Sequence, residues 1–211
     1  MFEAANLHLV DGPLSRNKLK TLRDEGTRTP EFRQAMKELS LIMVAEATRT
    51  MPTSGVRVRT PLAETEVEEI SGPVCLVPVL RAGLGMLEGA LALLPEATVG
   101  FMGLQRDEET AEPVEYYVNL PRGLGEYLVL VLDPMLATGG SLSATLSKLK
   151  EYGARWISCL HAVAAAPGVE RVTGEHPDVT FYAAALDPEL DENAFIVPGL
   201  GDAGDRLYGT L

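Results

Sequence analysis

A chain of 211 residues, nearly half of them apolar and under a quarter charged, is long enough to close one sizeable core and has the composition of a soluble globular protein. Acidic residues outnumber basic ones by 30 to 18, a formal net charge of −12, which argues against a general nucleic-acid or anionic-membrane binder, since either needs a basic face. Only Cys75 and Cys159 occur, each inside an apolar run, so buried thiols are expected rather than a disulfide framework. With no leader-like segment and no apolar run of about 18 residues or more, the cytoplasm is the expected compartment.

In chain order, residues 1–14 read as an extended arm with turn chemistry at Asp11, Gly12 and Pro13. Ser15 is placed to cap a short helix through Asp24. Thr29 followed by Pro30 starts a second helix to about Arg49, with Phe32, Ala35, Met36, Leu39, Ile42 and Met43 on one face. Val56 and Val58 alternate with Arg57 and Arg59, the pattern of a half-exposed edge strand. The acidic run Glu64 to Glu69 reads as a solvated face rather than a metal site.

Pro73 to Leu80 is an apolar strand, and Arg81-Ala82-Gly83-Leu84-Gly85 is its outgoing loop before a helix through Leu94. A dinucleotide-binding loop would need its last glycine at 88, which is Glu88, so that reading fails on spacing. The loop reads instead as an anion site in which Arg81 supplies a bidentate donor, with a structural ion pair as the alternative. Thr98 to Gly103 is another strand, and Gln105 to Leu120 has the composition of a protruding hairpin with little core to hold it.

The segment Tyr127 to Tyr152 organises the chain. Leu128 to Leu132 is apolar without alternation, as expected of a strand buried on both faces of a parallel sheet. Asp133 ends it, and a small-residue turn from Ala137 to Ser141 leads into a helix with Leu142, Leu146 and Leu149 on one face. Thr138, Gly139, Gly140 and Ser141 offer closely spaced backbone N–H groups at the positive end of that helix, which is a phosphate cradle. No Lys follows the glycines as in nucleoside-triphosphate loops. A carboxylate at the strand end suits ribose hydroxyls, which can donate to it. The loop therefore asks for a sugar phosphate.

Beyond it, Gly153 ends the helix, and Trp156 to Val163 and Val179 to Ala185 are strands separated by a short helix. His161 and His176 have no partner at metal spacing and read as core or surface residues. Alternating strands and helices over residues 70–190 predict an α/β fold: a mainly parallel β-sheet flanked by helices, with right-handed crossovers. One domain over 1–211 is expected, with its core at about 70–190, the arm and helices at 1–60 and a tail at 194–211. In the tail, Phe195, Ile196 and Val197 precede glycines at 199, 201, 204 and 209, with Asp202, Asp205 and Arg206 among them. Tied down at a sheet edge, such a segment exposes main-chain donors and acceptors fit for a flat base.

DPMLATGGS, residues 133–141, resembles the phosphoribosyl pyrophosphate (PRPP) motif of type I phosphoribosyltransferases, in the single-acid form of uracil phosphoribosyltransferases. FIVPGLGDAGDRLYGT, residues 195–210, is similar to the uracil-binding C-terminus of that family, and LVPVLRAGLGM and PVEYYVNLP add further matches. The resemblance implies conversion of uracil and PRPP to UMP and diphosphate. In that reading Asp133 orients the ribose, and Pro134, Met135, Leu136, Ala137, Thr138, Gly139, Gly140 and Ser141 complete the PRPP loop. Arg81 and Arg106 hold the diphosphate, and Arg106 lies in the hairpin lid, where Gln105 departs from an expected aromatic residue. Ile196, Gly201, Asp202 and Ala203 contact uracil, with Asp202 also reaching PRPP and standing as one candidate acceptor of the base proton. Magnesium is expected, bound mainly through PRPP and water, with no protein metal site. A homodimer or larger assembly and a GTP effector are further implications, with neither nucleic acid nor membrane as partner. A PRPP- or UMP-sensing RNA-binding regulator and a phosphoribosyltransferase for another base remain alternatives.

Overall fold

A computed structural model describes residues 6–106 and 113–210, without the side chains of 104–106 and 113–116. The main sheet is six-stranded and parallel, in the order β1-β12-β10-β8-β4-β5. It comprises β1 (Leu7–Leu9), β4 (Val74–Pro78), β5 (Thr98–Val99), β8 (Leu128–Leu132), β10 (Trp156–His161) and β12 (Thr180–Ala183). Two hairpins stand apart from it: β2 (Thr53–Arg59) with β3 (Glu64–Ile70), and β6 (Phe101–Arg106) with β7 (Pro113–Asn119). The helices are α1 (Pro13–Arg23), α2 (Thr29–Ala47), α3 (Leu84–Leu93), α4 (Gly140–Glu151), α5 (Ala166–Glu175) and α6 (Ala203–Tyr208). Among the described residues no helix is long and apolar enough to cross a membrane.

The unbroken apolar runs of β4 and β8 follow from burial on both faces. Leu76, Leu128, Leu130 and Leu132 pack with α1, α2, α3 and α6, and Cys75, Val77, Val129 and Val131 pack with α4 and α5. The helical face read at Phe32, Ala35, Met36, Leu39 and Met43 is buried as expected, with Ile42 partly so. Cys75 and Cys159 are buried free thiols.

The extended arm contributes β1 to the sheet edge. Other local readings are corrected. Ser15 caps nothing: α1 starts at Pro13, where the missing N–H of proline costs no helical bond, and Ser15 is buried within it, its hydroxyl without a partner among the described residues. Thr29 lies inside α2 and makes no capping bond. The acidic run is exposed, yet it is a strand, registered so that Arg57 faces Glu66 and Arg59 faces Glu64. The strand read at Thr98 to Gly103 is two, with β5 in the main sheet and β6 in the hairpin with β7. The hairpin's tip, residues 107–112, lies outside the described residues.

A second, small parallel sheet is built on the carboxyl edge of the first: β9 (Met135–Leu136), β11 (Val163–Ala165) and β13 (Leu186–Asp187), in the order β13-β11-β9. It laces together the segments leaving β8, β10 and β12. The last pair, β14 (Glu189–Leu190) and β15 (Ile196–Val197), carries the chain into the tail. Gly168 of α5 sits so close to the outgoing loop of β8 that a Cβ there would lie 2.1 Å from the Ala137 carbonyl oxygen. Alanine favours a helix by about 1 kcal/mol over glycine, but overpacking against backbone costs about 1–3 kcal/mol. Gly168→Ala is expected to lower the melting temperature by about 2–6 °C, and an unchanged value contradicts this close approach.

Candidate active site

The helices after β4 and β8 diverge: α3 packs on one face of the sheet through Met86 and Ala90, and α4 on the other through Leu142, Leu146 and Leu149. Adjacent parallel strands whose helices leave to opposite faces open a crevice at their carboxyl ends, the usual ligand site of open α/β sheets. Its two lips are tied together, because the Val79 N–H donates to the Leu132 carbonyl at 2.9 Å. Gly83 completes the fit. A Cβ there would lie 2.2 Å from the Leu132 oxygen, so only glycine lets the Arg81 loop lie across the end of β8.

Asp133 follows directly. The residue is half-buried, but its carboxyl is desolvated, and this pushes its pKa up to about 7 against the opposing effect of a hydrogen bond from the Met135 N–H. Behind it the Cys159 thiol is pushed well above its ordinary value by burial and then by the Asp133 charge. His161 is buried. Its Nδ1 lies 2.7 Å from the Asp133 carbonyl oxygen, which can only accept, so Nδ1 carries the proton. Burial lowers the imidazole pKa to about 4, which keeps it neutral, and Nε2 has no partner among the described residues. The core reading of His161 holds. His176, also buried, meets the Ser143 hydroxyl at 3.0 Å and the Lys150 ammonium at 3.1 Å.

The cradle has the expected form. Gly139 is the N-cap of α4 with φ +76, a left-handed conformation that glycine adopts without penalty, and no acidic residue lies in the first turn of α4. Thr138 and Ser141 are exposed, whereas Pro134 and Leu136 are buried beneath the loop. Those two hold the turn in place from below and offer a ligand main-chain groups only.

Arg81 is exposed and its Nη2 lies 3.5 Å from Asp205 of the tail. The Tyr208 hydroxyl donates to the Arg81 carbonyl at 3.2 Å, so α6 closes against the Arg81 loop. Asp202 is the N-cap of α6, its Oδ1 accepting the Asp205 N–H at 2.9 Å. The glycine count hid this helix, although an aspartate three residues ahead of a first-turn acceptor is a capping signal. Gly201 and Asp202 are exposed, while the side chains of Ile196 and Ala203 belong to the core, which leaves their main chain for a ligand. Arg106 ends β6 opposite Pro113, and its side chain is outside the described residues, as is that of Gln105. The described residues thus bring Arg81, Asp133, the 137–141 cradle and the 201–206 tail to one edge of the sheet. No local pattern singled out Arg23 and Asp187, which bind the tail from outside it.

The sequence model of the uracil phosphoribosyltransferase family matches residues 9–210. A uracil phosphoribosyltransferase of Symbiobacterium thermophilum is 52% identical over 203 residues, covering 96% of this chain and 97% of the relative. A solved structure from Aquifex aeolicus superposes with a TM-score of 0.88 at 37% identity, covering 96% of this chain and 97% of the other. A purine phosphoribosyltransferase from Pyrococcus horikoshii shares the fold at 13% identity and a TM-score of 0.51, over 73% of this chain and 84% of its own. A family match over nearly the whole chain, joined by relatives of about 50% identity, shows that the chain belongs to the uracil phosphoribosyltransferase family.

Proposed function

We propose that this enzyme transfers the 5-phosphoribosyl group of PRPP to N1 of uracil, giving UMP and diphosphate, in the cytoplasm. The observation that carries the reading is the placement of Asp133 at the end of β8 between the glycine cradle and the Arg81 loop: one acid for a ribose, amides for its 5′-phosphate, a guanidinium for the diphosphate. The bond from C1′ to the diphosphate oxygen breaks, the bond from C1′ to N1 forms, and the N1 proton leaves. Charge grows on the diphosphate as it departs, and Arg81 is the described cation beside it. Arg106, from the lid, is its proposed partner.

Magnesium carried mainly by diphosphate, ribose and water oxygens, as this hard ion prefers, would neutralise charge on the leaving group. Asp202 is the proposed acceptor of the N1 proton, through the carboxylate oxygen that does not cap α6. Exposed Val58, Leu62 and Val67 on the β2–β3 hairpin support assembly into a homodimer or larger oligomer. GTP control belongs to the same reading and is tested by adding GTP to the assay.

With PRPP and magnesium, the purified protein is expected to form UMP from uracil far more efficiently than it forms any nucleotide from cytosine, hypoxanthine or guanine; PRPP binding without turnover would favour a regulator instead. Asp133→Asn is expected to lower kcat/KM for PRPP by about 10- to 100-fold, the loss of a charge-assisted hydrogen bond of about 1.5–3 kcal/mol. Burial raises the Asp133 pKa to about 7 in the free protein, while ribose hydroxyls bind the charged form. Affinity is therefore present above that pH and lost below it, so kcat/KM for PRPP is expected to fall as pH drops through about 7, more steeply in the wild type than in Asp133→Asn. Asparagine caps a helix as well as aspartate, so Asp202→Asn leaves α6 in place and isolates the carboxylate charge. Its turnover is expected to fall, and a wild-type turnover across pH contradicts the proton role.

A further inference from the structure

In the proposed reading the tail meets the base with main-chain groups on a glycine-rich segment, and such a segment has no fixed shape of its own. Its shape comes from two arginines that meet at one place, the end of α1. Arg23 of α1 forms a fork with Asp187, Nη2 to Oδ1 at 2.7 Å and Nη1 to Oδ2 at 2.8 Å, and Nη1 also donates to the Gly199 carbonyl at 2.8 Å. Asp187 is 5% exposed, and its Oδ2 accepts the Gly199 N–H at 2.9 Å. Both main-chain groups of Gly199 are thus held by the ion pair. Gly199 itself has φ +58 and packs so tightly that a Cβ would lie 2.1 Å from the Ile196 carbonyl oxygen.

Arg206 does the same from the other side of the turn. Its Nη1 donates to the Leu22 and Leu200 carbonyls, the latter at 2.9 Å, its Nη2 to the Asp24 carbonyl at 2.6 Å, and its guanidinium lies 4.4 Å from the centre of the Phe32 ring. The carbonyls it takes at the end of α1 have no partner within that helix. The segment 199–206 is therefore fixed at both ends to residues 22–24, while α6 stays tied to α2 by Arg33 Nε donating to the Leu207 carbonyl at 2.5 Å.

A buried ion pair contributes little net stability compared with apolar packing, so its value lies in the geometry it imposes. We infer that Arg23 and Asp187 are positioning residues for base recognition, setting the register of the Gly201–Ala203 main chain against the base although neither lies among the proposed ligand contacts. The inference rests on the uracil reading above. Lysine keeps the charge at position 23 but not the fork.

The test measures KM separately for uracil and PRPP, and the kcat/KM ratio of uracil to cytosine, in the wild type and in Arg23→Lys. Misplacing a recognition element by a fraction of an ångström to 1 Å is expected to raise KM for uracil on the order of tenfold, to lower the uracil-to-cytosine ratio, and to leave KM for PRPP within about twofold. An unchanged KM for uracil, or an equal rise in both KM values, overturns the inference. Should Arg23→Lys fail to fold, Asp187→Asn, which keeps one acceptor oxygen, carries the same comparison with the same two readings. The wild-type assay comes first: absence of UMP there overturns the activity and this inference together, whereas an active wild type with unmoved variants overturns the inference alone.

Discussion

The site depends on the hydrogen bond that joins the ends of two neighbouring buried strands. The Val79 N–H reaches the Leu132 carbonyl, and this bond, which continues the pairing of β4 with β8, sets the Arg81 loop against the Asp133 loop while their helices pass to opposite faces. The requirement for Gly83 follows from it, because no side chain fits between the loop and the Leu132 oxygen. Everything else at the edge is added to this pair. The small sheet of β9, β11 and β13 brings in the segments that leave the neighbouring strands, and the tail lies across the top.

The proposed ligand of this protein of net charge −12 is more negative than most, so its capture falls to local arrangements rather than to the overall field. The cradle uses amides at the start of α4, where no acidic residue intervenes. Burial raises the Asp133 pKa to about 7, so near neutral pH its carboxyl carries less charge toward a phosphate than an ordinary aspartate does. Arg81 rests 3.5 Å from Asp205 across partly solvated space, a weak pairing that a diphosphate can displace.

The parts of this arrangement that a local stretch of sequence determines were legible in it. Leu128 to Ser141 spells out a buried strand, an acid and a cradle in one run, and the structure places them accordingly. The face of α2, the two buried cysteines and the parallel order of the sheet follow from periodicity and burial in the same way. What escaped was set by distant partners or by weak propensities. β3 is rich in glutamate, a poor strand former, and is held by cross-strand charge pairing with β2. Arg23 and Asp187 are 164 residues apart, and neither periodicity nor spacing connects them. The small sheet exists only because separate loops meet at one edge, and α6 lies in a glycine-rich segment where no helical period stands out.

The measurement that tests the account most directly is calorimetric titration of magnesium PRPP into the wild type and Asp133→Asn, in buffers of different ionisation enthalpy, at about pH 6 and about pH 8. If Asp133 holds a proton in the free protein and gives it up to accept the ribose hydroxyls, the wild type releases more protons than the variant at the lower pH, by up to about one per ligand, and the difference vanishes at the higher pH. Equal proton release from the two proteins at both pH values would contradict an Asp133 that is protonated in the free protein and ionises to accept the ribose.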